Sequence, residues 1–319
     1  MEAQIRHTVC IVTYRRSSYL TRCLEALRND VSESTQVVVV DASPESDRDA
    51  VHVAFPTAEY VHDTSVAGWM TRARNVALLS VKGRVVSFLD DDVVVRPGWQ
   101  AAVLAAFEDA AVAAVAGRTC NGIDGEEHYA QPVGRLLPDG GLTEGFASLP
   151  TEPVDVDHGI GANMSFRTSV IARLGGFRDD YPGTAMREDT DIYLRVRAIG
   201  GRAVFAPEAV VDHLPAPHVT GARFDTRYKL YARRNHMVLL ARDGGLRSPV
   251  LRRWIGREFR SVVRAPGLVG KASRFGVTAI GIGWGALAAV RDAAWNPTPP
   301  TRSDAKGARI RAALDEAAA

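Results

Sequence analysis

Residues 83–99 read GRVVSFLDDDVVVRPGW. The apolar run Val85–Leu89 leads directly into three consecutive acids, Asp90, Asp91 and Asp92. A short, unbroken apolar run bounded by turn residues is the pattern of a strand buried on both faces, as in parallel sheets covered by helices. Ligands of such sheets bind outside the carboxyl ends of the strands, which is where these acids stand. Carboxylates that converge there repel one another, so a cation is a natural companion. Mg2+ and Mn2+ accept oxygen ligands and share them with substrate phosphates. The competing reading is an acidic turn that caps the next element.

Upstream, Gln36–Val40 (QVVVV) is a second buried strand, and Asp41 ends it as Asp90 ends the first. Thr8–Thr13 (TVCIVT) is a third strand. A helical pattern follows, with Leu20, Cys23, Leu24 and Leu27 at positions i, i+3, i+4 and i+7. A helix is expected over Trp69–Val81, with Gly83 as its stop signal. Downstream, Val112–Ala116 is a further strand. This alternation of strands and helices predicts an α/β fold with a mostly parallel central sheet.

Arg118–Asp157 is rich in Gly, Pro and polar residues and reads as a long connection with edge strands. A second block follows, with a Gly-bounded strand ending in GANMSFR (161–167), a helix at Ser169–Leu174 and a turn at Gly175–Gly176. Another helix runs from about Glu188 to Ile199, and Ala203–Phe205 resumes as strand. Glu188 and Asp189 either favour the helix N-terminus electrostatically or supply a general base. His213, in VVDHLP (210–215), is structural unless the fold brings it to the Asp cluster. There, imidazole beside carboxylate suits Mn2+.

In order, VCIVTYRRSSYLTRCLEAL, VVVVDAS, VAGWMTRARNVAL, GRVVSFLDDDVVVRPGW, GANMSFR, LGGF, REDTDIYLRVRAIGG and VVDH resemble the inverting family 2 glycosyltransferases of the GT-A fold, over roughly residues 8–214. The resemblance implies a Rossmann-like nucleotide-binding half (1–117) fused to an acceptor-binding half (118–220). It implies that Thr13, Tyr14 and Arg15 lie against the base or ribose of a nucleoside-diphosphate-sugar donor, and that Asp41 binds on the same side. Gly68 and Arg74 would form the nucleotide-binding wall, Asp90 and Asp91 would face ribose and phosphate, and Asp92 and His213 would hold Mn2+ or Mg2+. Asp189 of the Glu188–Asp189 pair would be the catalytic base toward a hydroxyl-bearing acceptor. UDP is the donor nucleotide the family uses most. Arg15–Arg16 departs from the family, where Asn is common after the aromatic position.

Composition agrees with a globular enzyme: 46% hydrophobic and 24% charged residues, and three cysteines with no CxxC pair. The polar start MEAQIRH argues against a secretory signal, and the cysteine usage fits the cytoplasm. The net charge of +2 is uneven, since residues 241–319 alone hold 14 Lys/Arg against 6 Asp/Glu. Residues 221–295 read as a C-terminal helical extension. Leu251–Val263 sets Leu251, Ile255, Phe259 and Val262 opposite a stripe of arginines. Gly276–Val290 is uncharged, shorter than the roughly 20 residues that span a bilayer and, with four glycines, a poor autonomous helix. Contact with the inner face of a membrane, a homodimer contact and a solvated basic face are the readings this region leaves open. Nucleic acid is not expected, because the stripe lacks interleaved aromatics. Residues 296–319 are expected to be a flexible tail.

Two other functions compete. A nucleotidyltransferase needs a Gly-rich loop after the first strand, and VTYRRSSYL has arginines but no glycine. A catalytically inactive sugar-nucleotide-binding subunit would not need Asp92, Asp189 and His213 together.

Overall fold

The computed structural model describes residues 5–183, 186–216 and 225–318. The first half winds as β1 (His7–Thr13), α1 (Ser17–Asp30), β2 (Thr35–Asp41), α2 (Arg48–Ala54), β3 (Glu59–His62), α3 (Met70–Ala77), β4 (Val85–Asp90), β5 (Val93–Val95), α4 (Trp99–Ala106) and β6 (Val112–Cys120). Next come β7 (Val154–Asp155), β8 (Asn163–Arg167), α5 (Thr168–Leu174), α6 (Glu188–Ala198) and β9 (Arg202–His213). Four helices close the chain: α7 (Thr226–Gly244), α8 (Pro249–Val263), α9 (Gly267–Arg291) and α10 (Ala305–Ala318).

The described strands join one nine-stranded sheet in the order β3-β2-β1-β4-β8-β6-β9-β5, with β7 attached to β9. β3, β2, β1 and β4 are mutually parallel, and β6 is parallel to β9. β8 runs antiparallel between β4 and β6. Burial on both faces follows from the side-chain alternation of a strand. In β1, Val9 and Ile11 enter the core beneath α1 and α4, whereas Cys10 enters the one shared with α3, α5 and α6. All three cysteines are free and buried. The helix expected over Trp69–Val81 forms as α3 and then tightens into a 3-10 turn at Leu78–Ser80. The long connection after β6 is mostly irregular, with a bridge between Leu136 and Leu142 before β7.

Three registers position the site. Thr13 lies beside Asp41, and Val12 beside Asp90, so β1, β2 and β4 end together. β9 extends well past the expected Ala203–Phe205, and its register on β6 shifts between Gly117 and Arg118. β5 then pairs with β9 so that Val93 faces His213. Asp92 is thereby set next to the imidazole, and its carbonyl accepts a 2.8 Å bond from Leu214 N.

The C-terminal region corrects two expectations. Gly276–Val290 does not stand as a short, poor helix but belongs to α9, which is 25 residues long. Among the described residues, α9 is the one helix long and apolar enough to cross a membrane. Its low intrinsic propensity is offset by packing, because Gly281 and Gly285 are where α7 comes closest. A Cβ on Gly285 would lie 2.6 Å from the Cβ of Met237. Within the supposed flexible tail at 296–319, Ala305–Ala318 instead forms α10, which docks on α5. Ile310 and Leu314 are buried in the same core as Ile171, Leu174 and Phe177. The Gly175–Gly176 turn makes this possible: both residues have positive φ, and a Cβ on Gly176 would meet Ile310 Cδ1 at 2.6 Å. The expected boundary between residues 220 and 221 lies outside the described residues.

Candidate active site

Four strand ends converge at one edge of the sheet, bringing Thr13, Asp41, the Asp90–Asp92 run and His213 to a common side. Ligand atoms of Asp90, Asp92 and His213 all lie within 4.8 Å of one another. Asp92 is 5% exposed, and its Oδ1 is buried with no hydrogen-bond partner. His213 Nε2 faces that oxygen at 3.3 Å. The imidazole's other nitrogen, Nδ1, meets Asn121 Oδ1 at 3.1 Å. Two carboxylates and an imidazole, with one carboxylate oxygen orphaned, fit a divalent cation of the Mn2+ type. An amide on the far ring nitrogen is the partner that orients a metal-bound histidine.

The three aspartates differ in environment. Burial pushes Asp91 up to about 6, against the pull of Thr13 and Arg16. Its Oδ2 accepts from the Thr13 hydroxyl at 2.7 Å and its Oδ1 from Arg16 Nη1 at 3.0 Å. Burial also raises Asp90, which Arg74 partly counters. At Asp92 burial acts upward, but His213 and Arg16 outweigh it and hold the carboxyl below its usual value.

Arg16 is the residue that sequence reasoning missed. Its Nη1 donates to both Asp91 Oδ1 and Asp92 Oδ2, the latter at 2.7 Å. Arg15, the residue singled out from sequence, takes a left-handed φ of 57° and lays its guanidinium over the Tyr14 ring, 5.2 Å from its centroid. The turn at Arg15 delivers its neighbour to the acids. The only sequence signal was the pair of adjacent arginines at a strand end that faces three aspartates.

Other expected residues are held by bonds within the chain. Asp41 is fully buried, and both of its oxygens are used within the chain. Oδ1 accepts from Ser43 N, while Oδ2 accepts from Tyr60 Oη at 2.6 Å and from Asp47 N. With both oxygens engaged in this way, Asp41 shapes the loop that follows β2. Arg74 is likewise buried, 1% exposed. It donates to Asp90 Oδ1 at 3.1 Å, to Gly161 O at 3.1 Å and to Glu188 Oε1 at 2.5 Å. Gly68 has a φ of 73°, and nothing lies within 4 Å of the position its Cβ would occupy.

Glu188 and Asp189 differ in environment. Glu188 is buried against Arg74, and burial raises its carboxyl to about 8 despite that neighbour. Asp189, half-buried, is the second residue of α6, which begins after Arg187 in a left-handed turn with φ 84°. Thr190 N donates to its Oδ1 at 2.7 Å, whereas Oδ2 receives only a long 3.3 Å bond from Gly161 N. A carboxylate anchored by one oxygen, with the other weakly engaged, is suited to accept a proton. Arg74 and Gly161 therefore tie the acidic edge of β4 to the start of α6.

Residues 8–175, more than half of the chain, match the sequence profile of glycosyl transferase family 2. The chain belongs to glycosyltransferase family 2. It is 32% identical over 213 residues to the pre-mycofactocin glycosyltransferase of Mycobacterium tuberculosis (strain CDC 1551 / Oshkosh), a match that covers 65% of this chain and 42% of that protein. The chain thus spans less than half the length of that relative. Among solved structures, it resembles the mannosyltransferase PcManGT of Pyrobaculum calidifontis, described in complex with GDP-Man and Mn2+ (TM-score 0.52, 19% identity, 99% of this chain and 87% of that one). It also resembles GalNAc-T7, described with UDP, GalNAc and Mn2+ (TM-score 0.61, 15% identity, 95% and 60%). At these identities the likeness is one of fold, and the fold of this family 2 chain is GT-A.

Proposed function

We propose that this family 2 chain is an inverting glycosyltransferase that moves a sugar from a nucleoside-diphosphate sugar to an acceptor hydroxyl. The observation that carries the reading is the convergence of Asp90, Asp92 and His213 at the sheet edge, bridged through Arg74 to the helix that bears Asp189. Residues 1–117 then supply the nucleotide side and residues 118–220 the acceptor side.

Asp92 and His213, with Asp90 beside them, would hold Mn2+ or Mg2+, which supplies Lewis-acid stabilisation of a diphosphate leaving group when bound. Asp189 takes the proton from the acceptor hydroxyl as that oxygen forms its bond to the anomeric carbon. The carbon–oxygen bond to the diphosphate breaks on the opposite face, and this single displacement inverts the centre. Thr13 and Arg16 fix Asp91, so the acidic edge is organised before the substrate arrives. UDP is the first choice of donor nucleotide. The two solved neighbours are described with GDP-Man and with UDP, which keeps GDP in the comparison beside dTDP.

The test is calorimetric titration of UDP, GDP and dTDP, each with and without Mn2+, into wild type and Asp92→Ala. Metal-dependent binding of one nucleotide, lost in the variant, supports the site and names the base. If none binds in a metal-dependent way, the assigned metal site fails, and an inactive subunit becomes the better reading.

A further inference from the structure

Glycosyl transfer leaves the outer side of the C-terminal helices without a role. α9 is two-faced. Thr278, Gly281, Ile282, Gly285 and Ala289 are buried, and Gly281 and Gly285 lie against Arg233 and Met237 of α7. On the opposite side Val269, Ile280, Leu287 and Val290 form a stripe at helical spacing, with exposures between 45% and 85%, and Trp284, 41% exposed, flanks it with its ring 5.2 Å from that of Tyr231 in α7. No charged residue interrupts it between Arg274 and Arg291. The elbow between α8 and α9 adds Val263 and Leu268, 71% and 86% exposed. Scattered exposed apolar residues are ordinary, whereas a contiguous patch of this kind marks an interaction surface.

Charge says what the surface meets. Residues 251–291 contain eight Lys or Arg and a single acid, Glu258. That acid is already paired with Arg233 at 3.2 Å. Arg260, Arg264, Lys271 and Arg274 are exposed around the elbow, so its apolar tip is ringed by cations.

We infer that this face docks on an anionic lipid bilayer. The elbow and the outer stripe of α9 enter the interface while the arginines meet headgroup phosphates. At ~1.5 Å per residue α9 is long enough to span, but its inner face is notched onto α7. That helix carries Arg227, Lys229, Arg233 and Arg234 and would be costly to place in hydrocarbon. α9 therefore lies along the surface. A second copy of the chain is the poorer occupant, since pairing two such faces would oppose two cationic rims with no spare acid between them. α7 also touches the acceptor side: Asn235 Nδ2 donates to Pro182 O and Met186 O, both at 3.1 Å, in the loop before Glu188. The bilayer would thus lie one helix away from that loop. The inference does not depend on the chain's catalytic activity.

The experiment is flotation of the full chain with phosphatidylcholine vesicles, with and without phosphatidylglycerol. Wild type is compared with Leu268→Asp/Val269→Asp and with Arg264→Glu/Lys271→Glu. Wild type should float with the anionic vesicles, and less so as salt is raised. Each double variant should bind about tenfold more weakly or worse while keeping the wild-type circular dichroism and unfolding midpoint. Brominated lipid should quench Trp284 fluorescence, a signal that Trp284→Phe removes. Failure of wild type to float would overturn the inference. So would loss of binding in the charge variant alone, which would mean counter-ion attraction without insertion. A wild-type dimer that Leu287→Asp dissociates would reassign the face to self-association.

Discussion

Arg16 gives Asp91 and Asp92 a positive charge of the chain's own, bonding both through one nitrogen. A divalent ion that arrives at Asp92 must share that carboxylate with a guanidinium or displace it. Arg16→Gln is therefore expected to tighten Mn2+ binding about tenfold, or about 1.4 kcal/mol, in calorimetry without nucleotide. Unchanged or weaker affinity would mean that Arg16 supports the metal site instead of competing with it. For Asp189, whose Oδ2 is only weakly engaged, Asp189→Asn should lower turnover by ~10²–10⁴-fold and leave nucleotide affinity unchanged; weakened nucleotide binding would contradict the assignment. At this scale the acids were readable because residue type announces them: three aspartates after a buried strand, a Glu–Asp pair at a helix start. Their partners were not. Nothing in YRR says which arginine turns inward until the backbone at Arg15 is known to be left-handed, and Arg74 gives no sign of reaching Glu188, 114 residues away.

His7 opens β1 fully enclosed, with Nε2 on Ser87 Oγ at 2.7 Å and Nδ1 on Gln100 Nε2 at 3.0 Å. Burial drives its pKa down from 6.5 to about 3, so the native state keeps the ring neutral while the unfolded chain protonates it. The stability this contributes is complete above pH 6.5 and fades as pH falls from there toward 3. Wild type should lose on the order of a few kcal/mol across that window, whereas His7→Gln should lose less between pH 7 and pH 4 by urea denaturation. Equal losses would show that acid acts elsewhere. The strands themselves were easy to read, since β1, β2 and β4 are apolar on both faces. α2, β3, β5 and α4 were not, because elements of three to eight residues carry too little periodicity. α9 misled for a different reason. Its glycines lower intrinsic helix propensity, yet at two of them the missing side chains are what let α7 approach.

Across the whole molecule, the last described helix finishes a core begun in β1, closing on α5 near the middle of the chain. Leu314 is fully buried, and Leu314→Ala should cost about 2–5 kcal/mol, read as a lower denaturant midpoint with an unchanged slope. A loss within 0.5 kcal/mol, the level of an ordinary surface substitution, would show that α10 rests on the surface without completing the core. Composition hid this helix: Pro, Ala and charged residues dominate 296–319, and two apolar side chains four residues apart say little until their partner surface is known. That partner is made early. Leu174 and Phe177 leave the ribosome well before Ile310, and at about 5–20 residues per second the intervening synthesis lasts on the order of ten seconds. Through that interval the hydrophobic seat beside the Gly175–Gly176 turn has no cover. The growing chain passes through a defined period of stickiness, in which chaperone capture competes with aggregation, and the arrival of α10 ends it.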